Sequence, residues 1–154
     1  MEKEEHYKTV VKQVQSLVAD ENDLIANLAN VCAILKESFG FFWVGFYLNK
    51  SNELVLGPFQ GPLACTRIAI GKGVCGTSAE QRTSIVVPDV HQFAGHIACN
   101  ANSKSEIVVP IMDEDMVYAV LDIDSDKLNQ FDEMDQRYLE EIASILVKHQ
   151  FIPV

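Results

Sequence analysis

The apolar residues change period once, at Phe41, and that change limits the folds open to the chain. Before it, Tyr7, Val10, Val11, Val14, Leu17 and Val18 recur at helical spacing, with Lys8, Lys12, Gln13 and Gln15 on the other side. Leu24, Ile25, Leu28, Val31, Cys32 and Leu35 repeat the pattern, which predicts a second helix capped at Asp20 or Asn22 and stopped by Gly40. From Phe41 the sequence reads FFWVGFYL, aromatic and β-branched residues suited to a strand, and residues 49–52 supply turn chemistry for a hairpin.

Further along, residues 53–59 read as the return strand, ended by Gly61 and Pro62, and residues 65–70 as a short strand. Gly71 and Gly73 bracket a turn into a short helix over 74–81, and a strand over 84–87 stops at Pro88. Residues 89–105 have no period and form a long loop, holding two of the four histidines and one cysteine. A second hairpin spans 106–112 and 116–123, turning at 113–115. Asp132 then opens a closing helix through Met134, Tyr138, Leu139, Ile142, Ile145 and Leu146. Helices at both ends with hairpins between them predict an α+β domain, its sheet mainly antiparallel and its terminal helices gathered on one face.

The length, 154 residues, suits one domain over 1–154. Twelve Lys and Arg against 22 Asp and Glu give a net charge of −10, which repels a phosphate backbone, so nucleic acid is not an expected partner. The first residues, MEKEEHYK, carry both signs of charge and no apolar stretch, so no secretory signal is read and a cytoplasmic protein is expected. The longest interval free of Asp, Glu, Lys and Arg, residues 90–103, holds two His, two Asn and a Gln, which argues against a membrane span.

Cys32 lies on the apolar stripe of the second helix and reads as core. Cys65, Cys75 and Cys99 fall in turn or loop contexts beside Gly, Pro or Asn, where a thiol is accessible for redox chemistry. His91, His96 and Cys99, with Cys75 or Cys65, can be drawn as a zinc site, but the usual close cysteine pair is missing and no metal is expected. Asp122 and Asp124 lie two apart on one strand and so share a face, with Glu106 beginning the neighbouring strand. Such a cluster attracts an ammonium group, and crowding with burial raises at least one pKa, leaving a proton donor near neutrality. Trp43, Phe46 and Tyr47 suit either the core or an aromatic pocket wall.

The segments GPFQGPLAC, GKGVCGTSA, VPDVHQFAGHIAC, SEIVVP and LDIDS resemble the free methionine-(R)-sulfoxide reductases, whose domain is of the GAF type, a PAS-like fold. The three cysteines stand at that family's spacing. The resemblance implies that Cys99 is the nucleophile, Cys65 the resolving thiol and Cys75 an auxiliary thiol. It further implies that Glu106, Asp122 and Asp124 hold the substrate ammonium and activate the sulfoxide oxygen, while Trp43 and Tyr47 wall the pocket. A sulfenic acid and an intramolecular disulfide would follow, reduced by thioredoxin with no bound cofactor; a homodimer is compatible with it. The chain departs from the family's pattern at Ala94 and at Asn100, where an acid often follows the cysteine.

The rival reading is a GAF module that senses a small ligand such as a cyclic nucleotide without turnover. Sensors pass their signal to an attached effector, and we expect none here because the last helix lies close to the end of the sequence. Residues 129–133, NQFDE, resemble a nucleotide-binding string but read better as helix capping by Asp132.

Overall fold

The computed structural model describes residues 2–151 apart from 98 and 115. In chain order the elements are α1 (Lys3–Asp20), α2 (Leu24–Phe39), β1 (Trp43–Lys50), β2 (Glu53–Gln60), β3 (Arg67–Ala69), α3 (Gly73–Gln81) and β4 (Ile85–Val87). A 3-10 turn (Val90–Gln92), β5 (Ser105–Met112), β6 (Val117–Ser125) and α4 (Glu133–Leu146) follow, and a π turn continues α4 over Val147–Phe151. Met1 and residues 152–154, the ends of the expected 1–154 unit, and Asp115, in the expected turn at 113–115, lie outside the described residues.

The strands form one sheet in the order β3-β2-β1-β6-β5-β4, with every neighbouring pair antiparallel. Alternation along the three central strands divides their side chains between two faces. Val44 and Phe46, Ile107, Val109 and Ile111, and Ala119, Leu121 and Ile123 meet Tyr7, Val14, Leu28, Leu35, Leu139 and Ile142 from α1, α2 and α4. Each fully buried aliphatic or aromatic side chain here contributes roughly 1.5–3 kcal/mol, so packing more than local propensity holds the terminal helices on this face. Phe46 belongs to this core, which removes it from any pocket wall.

The opposite face carries Trp43, Tyr47, Val108 and Val120 and is covered by α3 through Val74, Cys75 and Ala79. The terminal helices thus share one face as expected, while α3 joins edge strand β3 to edge strand β4 across the other. Among the described residues no helix is long and apolar enough to cross a membrane.

Polar residues fix the helix ends. The cap of α2 is Asp23, whose carboxylate accepts from Ala26 N–H at 2.9 Å, and not Asp20 or Asn22. Asp20 is still helical, and Glu21 accepts from the Asn22 and Asp23 N–H groups, which stiffens the turn between the helices. Gly40 ends α2 in the left-handed region at φ 67°, donating to Lys36 O. Asp132 caps α4 by accepting from Met134 and Asp135 N–H, and Asp135 accepts in return from Asp132 N–H, so the acid of NQFDE is the N-cap of a capping box. Phe131 within it is buried in the core.

Asp135 also ties α4 to α1. It is buried, forms an ion pair with Lys3, and accepts from the Tyr7 hydroxyl at 2.5 Å. Asp135→Ala removes the capping bond, leaves the Tyr7 hydroxyl without its acceptor and Lys3 with Asp132 alone, so a loss of about 3 kcal/mol is expected. The urea midpoint reads it; an unchanged midpoint contradicts this role.

Candidate active site

The register of β1, β6 and β5 gathers the acids. Asp124 lies between Trp43 on β1 and Glu106 on β5, and Asp122 lies between Gly45 and Val108. All point to the α3 face, because they fall on the same parity as Tyr47 and Val120. Gly45 makes room for the aromatic wall: a Cβ there would run into the Trp43 ring and Phe59. The indole instead stacks on Phe59 at 5.3 Å and Tyr47 at 6.1 Å between ring centroids. Each ring uses its polar end to hold the segment after β2. Trp43 Nε1 donates to Pro62 O at 3.0 Å, and the Tyr47 hydroxyl donates to Cys65 O at 2.9 Å.

That segment brings Cys65 to Cys99 of the loop between β4 and β5, and the two form a disulfide with their Cα atoms 5.4 Å apart; Cys99 lines one cavity with Glu106, Asp122 and Asp124. Both cysteines are half-buried. The loop is clamped at its base by Val90 N–H to Lys104 O at 2.9 Å and Lys104 N–H to Ser125 O at 2.8 Å. After Cys99 the chain turns on Asn100, whose side-chain oxygen accepts from Asn102 N–H at 2.8 Å. A carboxylate would accept that same bond, so the departure at Asn100 keeps the turn.

Glu106 and Asp122 are buried and Asp124 is half-buried. Burial, followed by the charges of Asp122 and Asp124, pushes Glu106 well above the usual carboxylate range. Burial, and then the charge of Asp122, does the same to Asp124. Asp122 is also raised by burial, but hydrogen bonds from Glu106 and Cys75 oppose the shift. The arrangement therefore keeps protons on Glu106 and Asp124 and favours Asp122 as the anion. Asp122 Oδ1 is buried and accepts no hydrogen bond among the described residues. An unpartnered anionic oxygen in such a place is costly until a cation reaches it.

Cys75 corrects the sequence reading. It lies inside α3, buried and outside the disulfide, and not in an accessible turn. Its neighbouring glycines serve close packing instead of exposure, since a Cβ at Gly76 would collide with Ala69 O on β3. Burial, then the charges of Asp122, Glu106 and Asp124, hold its thiol well above the ordinary cysteine range. It is a protonated donor to Asp122, a poor nucleophile and a poor metal ligand until deprotonated. Cys32 is a core residue as expected.

The drawn zinc set is not assembled. Cys65 and Cys99 are bonded to each other, and His91 is exposed beside Asp89. Among the described residues the metal-ligating side chains that do converge are Cys75, Glu106 and Asp122, with one donor atom from each within 4.8 Å of the others. His96, drawn with the zinc set, instead faces the acids: its Nε2 lies 3.7 Å from Glu106 Oε1. Burial and then His91 lower its pKa, so it faces the acid as a neutral ring near neutrality. The sequence signal for it was its position three residues before Cys99 on the same loop. Gly45, interrupting an aromatic run, was the signal for the pocket wall.

A GAF domain model matches residues 23–148. The GAF domain-containing protein A of Dictyostelium discoideum is 58% identical over 94% of this chain and 92% of its own. The free methionine-R-sulfoxide reductase of Escherichia coli is 43% identical over 96% of this chain and 90% of its own. The crystal structure of the free methionine-R-sulfoxide reductase of Neisseria meningitidis in complex with its substrate superposes with a TM-score of 0.95 at 54% identity, covering 97% of this chain and 90% of that one. With three cysteines, three sheet carboxyls and a stacked aromatic pair arranged on one face, the chain belongs to the GAF-domain family of free methionine-R-sulfoxide reductases.

Proposed function

We propose that the chain reduces free methionine (R)-sulfoxide to methionine, with Cys99 as nucleophile and Cys65 as resolving thiol. The observation that carries this is the Cys65–Cys99 disulfide whose Cys99 lines one cavity with a carboxyl cluster that retains protons and leaves one Asp122 oxygen unpartnered. A sulfoxide offers an electrophilic sulfur and a basic oxygen, so reduction needs a thiolate and an acid together. The Cys99 thiolate attacks the sulfur while Glu106 or Asp124 protonates the oxygen. The bond formed between the two sulfurs then breaks as the protonated oxygen passes from the substrate sulfur to the Cys99 sulfur, so methionine leaves with the electron pair and Cys99 is oxidised to a sulfenic acid. Cys65 then attacks the Cys99 sulfur, water departs, and the disulfide forms. An external dithiol such as thioredoxin returns both thiols and is itself oxidised by two electrons.

Asp122, helped by Asp124 and Glu106, receives the substrate ammonium, and Trp43 and Tyr47 enclose the side chain. This explains a preference for the free amino acid. A peptide-bound sulfoxide brings a neutral amide to a site whose buried anion needs a cation. The reducing pool of the cytoplasm suits an enzyme whose resting form needs free thiols. The test uses pre-reduced protein and a racemic sulfoxide of free methionine. One epimer, R, is expected to disappear and the protein to lose the mass of two hydrogens, while peptide-bound sulfoxide persists. Equal loss of both epimers, or turnover with no change in protein mass, contradicts the reading.

A further inference from the structure

Large apolar side chains are ordinary on a surface when scattered singly. Two here are not scattered. Leu63, 88% exposed, stands two residues before Cys65, and Ile97, 38% exposed, stands two residues before Cys99. The disulfide joins the two segments, and both side chains line the mouth of the cavity that holds Cys99 and the acids. Charge follows the same division. In a chain of net charge −10, residues 54–66 and 90–103 contain no Asp, Glu, Lys or Arg, and these are the segments that supply Cys65 and Cys99.

The disulfide determines what must come to this rim. Its reduction needs a thiolate to approach one sulfur to bonding distance, and both sulfurs belong to half-buried residues. A small thiol needs no platform for this. A protein dithiol must lay the surface around its own cysteine against the surface around the target, and a charge-free apolar rim is what such a contact can desolvate at little cost. We propose that Leu63 and Ile97 form the docking rim for a protein dithiol reductant. The proposal rests on the reading that the Cys65–Cys99 disulfide is the oxidised product of turnover. In the docked pair the reductant thiolate attacks one sulfur, the Cys65–Cys99 bond breaks, and the departing cysteine takes up a proton. The second thiol of the reductant then attacks the mixed disulfide, leaving two reduced cysteines here and a disulfide on the partner.

The experiment measures reduction of the Cys65–Cys99 disulfide in the oxidised full chain, with no methionine sulfoxide present, by two reductants, dithiothreitol and thioredoxin kept reduced by its own reductase. For Leu63→Glu, half-saturation by thioredoxin should rise about 10-fold or more, with the dithiothreitol-driven rate unchanged. Ile25→Glu, at a 52% exposed apolar residue on α2, controls for added negative charge and should leave both rates as they are. An unchanged thioredoxin half-saturation in Leu63→Glu, an equal loss with both reductants, or an equal shift in Ile25→Glu overturns the rim. A wild-type disulfide that dithiothreitol reduces and thioredoxin does not would instead remove the assigned reductant.

Discussion

Cys99→Ser is expected to lower turnover by about 10³-fold or more, because a serine hydroxyl is not ionised at neutral pH and the other thiol lining the cavity, Cys75, is held protonated by burial and the acids. Cys75 is the residue that makes this informative. If it substituted for the nucleophile or relayed the oxidation, Cys99→Ser would keep partial activity and Cys75→Ser would impair disulfide formation. Its burial within α3 and its raised thiol pKa argue for the opposite pattern. In Cys75→Ser the Cys65–Cys99 bond should still form after one turnover, and the rate should fall only several-fold through the loss of a donor to Asp122. Steady-state rates together with the mass of the protein after a single turnover separate the two outcomes.

Glu106→Gln should depress turnover by about 10²–10³-fold while raising stability above neutral pH. The sign follows from the direction of its shift. A carboxyl whose pKa is higher in the folded protein binds its proton more tightly there, so it favours folding at low pH. That stability is lost as pH climbs from the ordinary carboxylate range through the raised folded value. Glutamine never ionises and escapes the loss. The same proton serves catalysis, so the wild-type rate should fall on the alkaline side as Glu106 and Asp124 ionise. In the variant, thermal melts at pH 6 and 9 should differ less than in the wild type. A slower enzyme without that gain, or an unaltered rate, contradicts the assignment of Glu106 as a proton-holding group.

Residue patterns one or two positions apart were enough to place much of this site. Asp122 and Asp124 had to share a face because a strand alternates, and Glu106 met them because the hairpin between them is short. The order of terminal helices and strands followed from the period change at Phe41. What could not be read locally depended on contacts across the sheet. Gly beside Cys suggests an exposed turn, yet Gly76 serves the close approach of α3 to β3, and that approach buries Cys75. Four consecutive polar residues, Asp20 to Asp23, offered several caps, and Glu21 turning back on Asn22 and Asp23 selected the last. The position of His96 against Glu106 needed the loop to fold over β5, for which no periodicity exists. The family resemblance implied the pairing of Cys65 with Cys99; local pattern alone left Cys75 an equal claimant.

The central pair of the sheet joins β1, near the start of the strand region, to β6, its last strand, with Trp43 opposite Asp124. A chain emerging from the ribosome therefore exposes Cys65 and Cys99 before β6, the strand that completes their pocket, has emerged. Such distant pairing is slow to form. Cys65 and Cys99 are consequently open to adventitious oxidation during synthesis, in a period when neither the carboxyls of β6 nor their protons are present to direct it.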